Sequence, residues 1–476
     1  MFFEPKPRRL NRPQLKVTER RLVLRLGDVV ATVIAVLLSL LIWSIVDGRR
    51  PYNLAFILEQ GYWLVLLPGL WLLLASANDF YDLQPVAAGR MATAGRLVLI
   101  TLQLVVIYLV IFFLSPRETL PRLFILYYGA TSFVLIMIWR LARPQVMNWA
   151  SERRRALIVG ADWGGELIVE AIREHAPDQY ELVGAIGGPE DGVVGVDGLE
   201  VLGTGQEMLE IARRHSVTEV IVATPCELSG DLFQGVMDCH QQGISIVPMT
   251  LLYERLTGRV PVEYVGKDWA IILPIEAASI FDPYPLLKRL FDLLLATCGM
   301  AIFAVLLPFL AIVMQLDSPG PIFFSQTRVG KGGKPFRIVK LRSMIPDAEK
   351  HTGAVFASKN DQRITRVGRL LRKSRLDEVP QLWNVLRGEM SMIGPRPERP
   401  EFIAELSAEI PFYRARLAVK PGVTGWAQVR YGYGSETADH LIKLQYDLYY
   451  VRHHSLLLDL QIAIRTAGKM LSFAGT

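Results

Sequence analysis

The spacing of the apolar runs limits the fold of this chain more than any other feature. Four come first, at residues 29–46, 61–77, 97–114 and 123–139. Each is about long enough to cross a hydrocarbon core of about 30 Å as a helix. A fifth, at residues 293–316, is equally apolar but contains Pro308. Where lipid replaces water, backbone polar groups must be satisfied within the segment, which favours helices. Hydrophobic residues make up 51% of the 476 and mean hydropathy is +0.29, so membrane segments are expected.

Charge orients these runs. The net charge is +6, and its basic residues cluster. Lys6, Arg8, Arg9, Arg12, Lys16, Arg20, Arg21 and Arg25 precede the first run; Arg140, Arg143, Arg153, Arg154 and Arg155 follow the fourth. Such flanks stay in the cytoplasm and meet anionic head groups, and an even number of crossings puts both on that side. The reading is a basic cytoplasmic tail over 1–28 and four transmembrane helices over 29–142. Basic clusters beside apolar helices are topology signals, so no nucleic-acid partner is expected. Cys226, Cys239 and Cys298 have no metal or disulfide spacing and are expected to be reduced core thiols. The long basic tail and the lack of a small-residue cleavage site argue against a cleaved signal peptide.

From Ala156 the pattern changes to α/β. Ala156-Leu157-Ile158-Val159 is a buried-type strand, followed by the turn Gly160-Ala161-Asp162-Trp163-Gly164-Gly165 and an amphipathic helix to Arg173. Strands are predicted over 182–186, 219–223 and 244–248, and helices over 203–215 and 230–241. This is a Rossmann-like domain over residues 153–265. Asp162 stands where a dinucleotide fingerprint needs its second glycine, which favours a structural or regulatory fold without bound nucleotide.

The fifth run has Lys288 and Arg289 before it, and Arg328, Lys331, Lys334, Arg337, Lys340 and Arg342 after it. A spanning helix would put one basic group outside. A re-entrant segment over residues 290–316, broken at Pro308, keeps both inside, since proline removes a backbone bond and kinks a helix. The alternative is a plain kinked fifth span. Residues 280–476 then form a basic, catalytic-looking domain. Its last part, 456–473, alternates apolar faces with Arg465 and Lys469, as an interfacial amphipathic helix does.

The candidate chemistry lies in Leu376-Asp377-Glu378-Val379-Pro380-Gln381-Leu382-Trp383. Val379, Leu382, Trp383 and Leu386 recur as the stripe of a short helix. Pro380 is tolerated in its first turn, and Gly388 stops it. Asp377 is expected near the N-cap and Glu378 in the first turn, where free N–H groups favour an ionised carboxylate. An ordinary capping Asp is the plain alternative. The surroundings favour chemistry on a phosphate ester at a bilayer surface. Gln326-Thr327-Arg328-Val329-Gly330-Lys331-Gly332-Gly333-Lys334 is a glycine-rich basic turn, and Lys340 and Arg342 follow it. Arg372 precedes the dyad, and Arg396 sits between Pro395 and Pro397, a preset arginine suited to bidentate phosphate binding. Asp447 is placed to orient one of these cations.

Several stretches occur in one order: Lys288-Arg289-Leu290-Phe291-Asp292, Asp317-Ser318-Pro319-Gly320-Pro321, Lys340-Leu341-Arg342-Ser343-Met344, Leu376-Asp377-Glu378, Gly394-Pro395-Arg396-Pro397 and Lys420-Pro421-Gly422-Val423-Thr424-Gly425-Trp426-Ala427-Gln428. From about Tyr284 onward the chain resembles the bacterial sugar transferase family, the monotopic polyprenyl-phosphate phosphoglycosyl transferases. The whole layout resembles the family's long form. That resemblance implies a multidomain membrane protein: a four-helix transmembrane bundle, a Rossmann-like α/β middle domain, and a mainly α (α+β) monotopic catalytic domain with a re-entrant helix. It departs from the family at Leu307, where members often have Ser, and at Arg430-Tyr431-Gly432-Tyr433-Gly434, where many have Asn-Gly-Arg.

The resemblance further implies transfer of a sugar-1-phosphate from a UDP-sugar to undecaprenyl phosphate, the first membrane step of exopolysaccharide, capsule or O-antigen synthesis. Asp377 would be the nucleophile that expels UMP and Glu378 the Mg²⁺ ligand, with Lys340, Arg342, Arg372, Arg396 and Asp447 binding phosphate or substrate. The expected location is the bacterial inner membrane, catalytic domain on the cytoplasmic face, in contact with membrane lipids. Self-association as a homodimer is left open. Two other readings remain. A membrane-anchored nucleotide-sugar dehydratase would need the pair Tyr284 and Lys288 of Tyr284-Pro285-Leu286-Leu287-Lys288. An inactive polysaccharide-assembly scaffold would not need the dyad.

Overall fold

Helices form where the early apolar runs predict them: α1 (Val17–Asp47), the short α2 (Leu54–Glu59), α3 (Trp63–Ala77), α4 (Arg90–Leu114) and α5 (Phe124–Met147). α1 packs against α3 and α5, and α4 against the same two. Leu24, Leu40, Trp71, Leu104 and Tyr128 are buried between helices, whereas Val30, Val65, Leu102 and Ile138 face outward. Leu22–Val46 and Phe124–Ala142 are long and apolar enough to cross a membrane; Trp63–Ser76 and Thr93–Leu109 are shorter apolar helices. One ion pair is buried among them, Arg140 Nη2 to Asp28 Oδ2 at 2.6 Å, with the guanidinium over the Phe80 ring. Each charge is tolerable in apolar surroundings because the other compensates it.

The computed structural model describes residues 17–48, 51–78, 80–81, 90–114, 123–147, 153–160, 163–177, 179–187, 198–223, 228, 230–264, 282–346, 363–431 and 437–471. The expectations for the basic tail before Val17, for Asp162 and Cys226, and for Gly432 to Gly434 fall outside them. Two units are present, Met1–Arg154 and Arg155–Thr476.

The second unit opens with a five-stranded sheet of β1 (Arg154–Val159), β2 (Tyr180–Ile186), β3 (Val201–Gly203), β4 (Glu219–Val222) and β5 (Ser245–Pro248), in the order β3-β2-β1-β4-β5. β1 pairs with β4, β4 with β5 and β2 with β3, all parallel. This is the doubly wound order. β3, a short edge strand, carries no sequence signal of its own. Helices α6 (Trp163–His175), α7 (Met208–Arg214), α8 (Gly230–Gln241) and α9 (Met249–Thr257) accompany the sheet. Both faces are covered: Ile158 and Ile221 pack among Ile168, Ile172 and Leu252, and Leu157 and Val220 among Met208, Leu232 and Val236. α9 ends at Gly258 in the left-handed region, and the chain then joins the C-terminal core, where Val260 and Val262 pack with Phe402, Leu406 and Leu448. Glu254 clamps this junction, 2.6 Å from Arg452 and 2.9 Å from His453.

α10 (Tyr284–Asp317) follows, 34 residues long. The break expected at Pro308 is not a break in secondary structure: the helix continues through it. The proline removes one N–H and leaves the surrounding turns to carry the helix. One face is held along its whole length. Arg289 donates to the carbonyls of Val385 and Leu386, and Asp292 accepts from Ser391 Oγ and Met392 N. Phe303 and Met314 pack with Leu341 and Leu371, and Asp317 accepts from Val367 N at 2.9 Å. The opposite face, with Leu290, Leu294, Val305, Phe309 and Leu316, is exposed. Cys298 also lies exposed, against the expectation of a core thiol, whereas Cys239 is buried.

The remainder is mainly helical. The antiparallel hairpin β6 (Phe323–Val329) and β7 (Pro335–Leu341) turns through Gly332 and Gly333, both at positive φ. Next come α11 (Arg366–Ser374), α12 (Leu382–Arg387), β8 (Ser391–Ile393), α13 (Pro400–Glu409), β9 (Gly422–Thr424), α14 (Trp426–Arg430), α15 (Thr437–His453) and α16 (Leu456–Leu471). β8 and β9 pair in parallel. α16 is tied to α10 through buried Asp459, which accepts from Tyr284 Oη at 3.0 Å and pairs with Lys288 at 3.2 Å. Tyr284 and Lys288 therefore serve this helix–helix contact.

Candidate active site

The dyad sits in a tighter turn than its spacing suggests. α11 ends at Arg375 in the left-handed region, φ 56°, and a 3₁₀ turn over Leu376–Gln381 leads into α12. The cap is thus Arg375, and Asp377 lies inside the first turn instead of at its N-cap. Pro380, which cannot donate, fits this short non-α stretch. Gly388, at φ 82°, ends α12 as predicted. Val379 and Leu386 are partly buried in the apolar cluster around Leu382, but Trp383 is 52% exposed and leaves the expected stripe.

Asp377 and Glu378 are buried at 8% and 7% exposure, and cations gather round them from three separate elements. Arg396, from the turn after β8, donates to Glu378 Oε1 at 2.6 Å. Lys340, near the end of β7, reaches the same oxygen at 3.4 Å. Arg375 stands 3.8 Å from Oε2. Burial alone would raise the Glu378 pKa, but Arg396 and Lys340 outweigh it and hold the carboxyl well below its usual range. Glu378 is a fixed anion. Asp377 makes no hydrogen bond or ion pair among the described residues. Burial, and then the charge of Glu378, push its pKa up to about 6, against the pull of Lys340, Arg372 and Arg396. It is therefore ionised at neutral pH, as the helix-start argument expects, but against a desolvation cost instead of with the help of a cap. An ionised, unbonded carboxylate held beside cations is suited to attack on a phosphorus atom.

The other expected residues separate. Arg372 Nε donates to Ser343 Oγ at 2.8 Å while its charge acts on Asp377. Arg342 turns away from the dyad: it donates to the carbonyls of Ser318 and Pro319 and closes the C-terminal end of α10. Asp447 does not reach the dyad cations. It accepts from Arg416 Nη2 at 2.7 Å and Nε at 3.0 Å. Arg416 in turn donates to the Arg396 carbonyl at 3.0 Å. Arg416 and Arg375 were not among the residues singled out from the sequence. Arg375 stands two positions before Asp377 and Arg416 four before Lys420; proximity to those motifs is the only signal either offers. A small pocket opens beside Arg396, lined by Gly330, Pro395, Pro397, Arg416 and Val419.

The chain is similar over much of its length to other bacterial proteins. The bacterial sugar transferase profile matches residues 283–473, which hold every site residue above, and a CoA-binding domain profile matches residues 76–249. The chain is 41% identical over 250 residues to the UDP-N-acetylgalactosamine-undecaprenyl-phosphate N-acetylgalactosaminephosphotransferase of Aeromonas hydrophila, covering 52% of this chain and 57% of that one. It is 31% identical over 408 residues to the UDP-glucose:undecaprenyl-phosphate glucose-1-phosphate transferase of Escherichia coli (strain K12), covering 83% and 85%. It is 41% identical to the exopolysaccharide production protein PSS of Rhizobium leguminosarum bv. phaseoli over 39% of this chain and 96% of that protein. The match thus spans little more than half of the Aeromonas relative and most of the other two.

Proposed function

The chain belongs to the bacterial sugar transferase family, and from that premise we propose that it transfers a sugar-1-phosphate from a UDP-sugar to undecaprenyl phosphate. The names of its relatives support the reading, as does its membrane character. The observation that carries it is Asp377, a carboxylate without a hydrogen bond or ion pair among the described residues, beside a Glu378 held by Arg396 and Lys340.

The reaction has two steps. An Asp377 carboxylate oxygen bonds to the β-phosphorus, the bond from that phosphorus to the bridging oxygen breaks, and UMP leaves with the electron pair. A phosphate oxygen of undecaprenyl phosphate then attacks the same phosphorus and displaces Asp377, leaving the sugar on a lipid diphosphate. Lys340 and Arg396 face the charge that develops. Glu378 fits a Mg²⁺ site as an ionised carboxylate: Arg375 stands 3.8 Å from its Oε2, beyond hydrogen-bond distance, and Mg²⁺ commonly takes one or two carboxylates beside substrate phosphates. When bound, the ion would neutralise the diphosphate.

The geometry of α10 supports one membrane placement. At ~1.5 Å per residue it is about 51 Å long, and both ends bond to one catalytic domain, Arg289 to Val385 and Leu386, Asp317 to Val367. A span would put these ends on opposite sides of the bilayer. We read α10 as dipping its exposed apolar face into one leaflet, with both ends on the cytoplasmic side. We read α1, α3, α4 and α5 as a transmembrane bundle in the bacterial inner membrane, a reading their apolar helices support.

The test is UMP release without lipid. Enzyme and UDP-sugar alone release about one UMP per active site and stop, and labelled UMP exchanges into UDP-sugar. Asp377→Asn abolishes both. An enzyme that turns over with lipid but shows neither burst nor exchange excludes the covalent route.

A further inference from the structure

Arg396 depends on a turn with unusual support. Pro395 and Pro397 have no N–H, so the segment is fixed through its carbonyls. Gly422 N donates to the Pro395 carbonyl at 2.9 Å, and Val329 N to that of Glu398 at 2.9 Å. Arg416 Nη2 donates to the Arg396 carbonyl at 3.0 Å and Arg328 Nη1 to that of Pro397 at 3.2 Å. Arg416 is itself locked. Its Nε and Nη2 go to Asp447, its Nη1 to Tyr413 Oη at 2.9 Å, and the side chains of Arg416 and Asp447 are 5% and 3% exposed. Every nitrogen of the Arg416 guanidinium is engaged by protein. We propose that Arg416, held by Asp447 and Tyr413, is a positioning residue that sets the Arg396 turn so that the Arg396 guanidinium meets Glu378. Asp447 then serves the reaction through two arginines and touches no substrate.

A lysine at position 416 keeps the charge but has no planar fork, so it cannot hold Asp447 and the Arg396 carbonyl together. The inference rests on the transferase reading, and the closing experiment separates the two. Full-length protein in detergent is assayed for UMP release with UDP-glucose or UDP-N-acetylgalactosamine, whichever the wild type turns over. Arg416→Lys is expected to lower kcat about 30-fold with KM within about threefold, because an ångström-scale misplacement of a charge-stabilising group lowers rates by about 10². In an Arg396→Gln background the same change is expected to cost less than about twofold, because its effect passes through Arg396. Tyr413→Phe, which removes only one hydroxyl contact, repeats the test if Arg416→Lys does not fold; about threefold is expected alone and none with Arg396→Gln. Equal losses in both backgrounds would overturn the inference, as would wild-type kcat in both variants. No UMP release from wild type with either nucleotide sugar would instead count against the transferase reading.

Discussion

Gly394 tests whether the backbone beneath Arg396 sets the rate. It follows β8 directly and begins the arginine turn, donates to the Thr424 carbonyl at 2.9 Å, and lies beside Gly422 and Gly425 of the neighbouring segment. A Cβ at residue 394 would stand well inside 3.0 Å of the Lys420 carbonyl oxygen and 3.0 Å from Gly422 N, where ordinary contact begins at 3.4 Å. Its neighbours are backbone atoms, which cannot rotate aside. Gly394→Ala must therefore part β8 from β9 by about 1 Å, at an overpacking cost of about 1–3 kcal/mol. Arg396, two residues on, moves with it, and a displacement of that size lowers the rate by about 10². The assay pairs kcat for UMP release with thermal unfolding of the purified protein. Gly468→Ala is the control: nothing lies within 4 Å of its added Cβ, it sits in α16, and alanine there favours the helix by about 1 kcal/mol. Gly394→Ala with wild-type kcat and unfolding midpoint would refute the reasoning that close backbone packing of β8 on β9 positions Arg396.

Three further outcomes are expected. Asp377 titrates at about 6 and attacks only as the carboxylate, so the UMP burst rate is level above that pH and falls below it, to roughly a tenth at pH 5; a burst unchanged down to pH 5 would remove Asp377 from the attacking role. Glu378→Gln raises the Mg²⁺ concentration needed for half-maximal rate at least about tenfold, because a neutral amide is a poor ligand for a hard cation; an unaltered Mg²⁺ titration would detach Glu378 from the ion. A cysteine placed at exposed Ser325, just after α10, reacts with impermeant thiol reagent in inside-out vesicles and stays protected in intact cells, and periplasmic labelling would sink the dipping-helix reading.

Much of this was legible in the order of residues, because it depends on neighbours. Helix at the apolar runs, the parallel sheet from Ala156 onward and the stop at Gly388 follow from periodicity and backbone preference, which act over a few residues. The acidic pair and the proline-flanked arginine could be picked out because their types and spacing are unusual. The sequence could not say which charges meet. Arg396 and Glu378 are 18 positions apart, and Arg416 and Asp447 are 31. Arg342, as basic as Lys340 and two residues from it, would share its face if the strand ran on; β7 ends at Leu341, and Arg342, just past it, turns to the carbonyls of Ser318 and Pro319. Asp447, expected beside the dyad, supports the turn behind it. The left-handed Arg375 that aims the dyad has no residue-type signal either, since glycine or asparagine would be its usual marker. Local pattern determined which elements form and which side chains carry chemistry. Only the packing of β7, the 3₁₀ turn, β8 and α15 against one another decided which cation faces which carboxylate, because a charge is stabilised by what surrounds it in space, and the chain brings those groups together from distant positions.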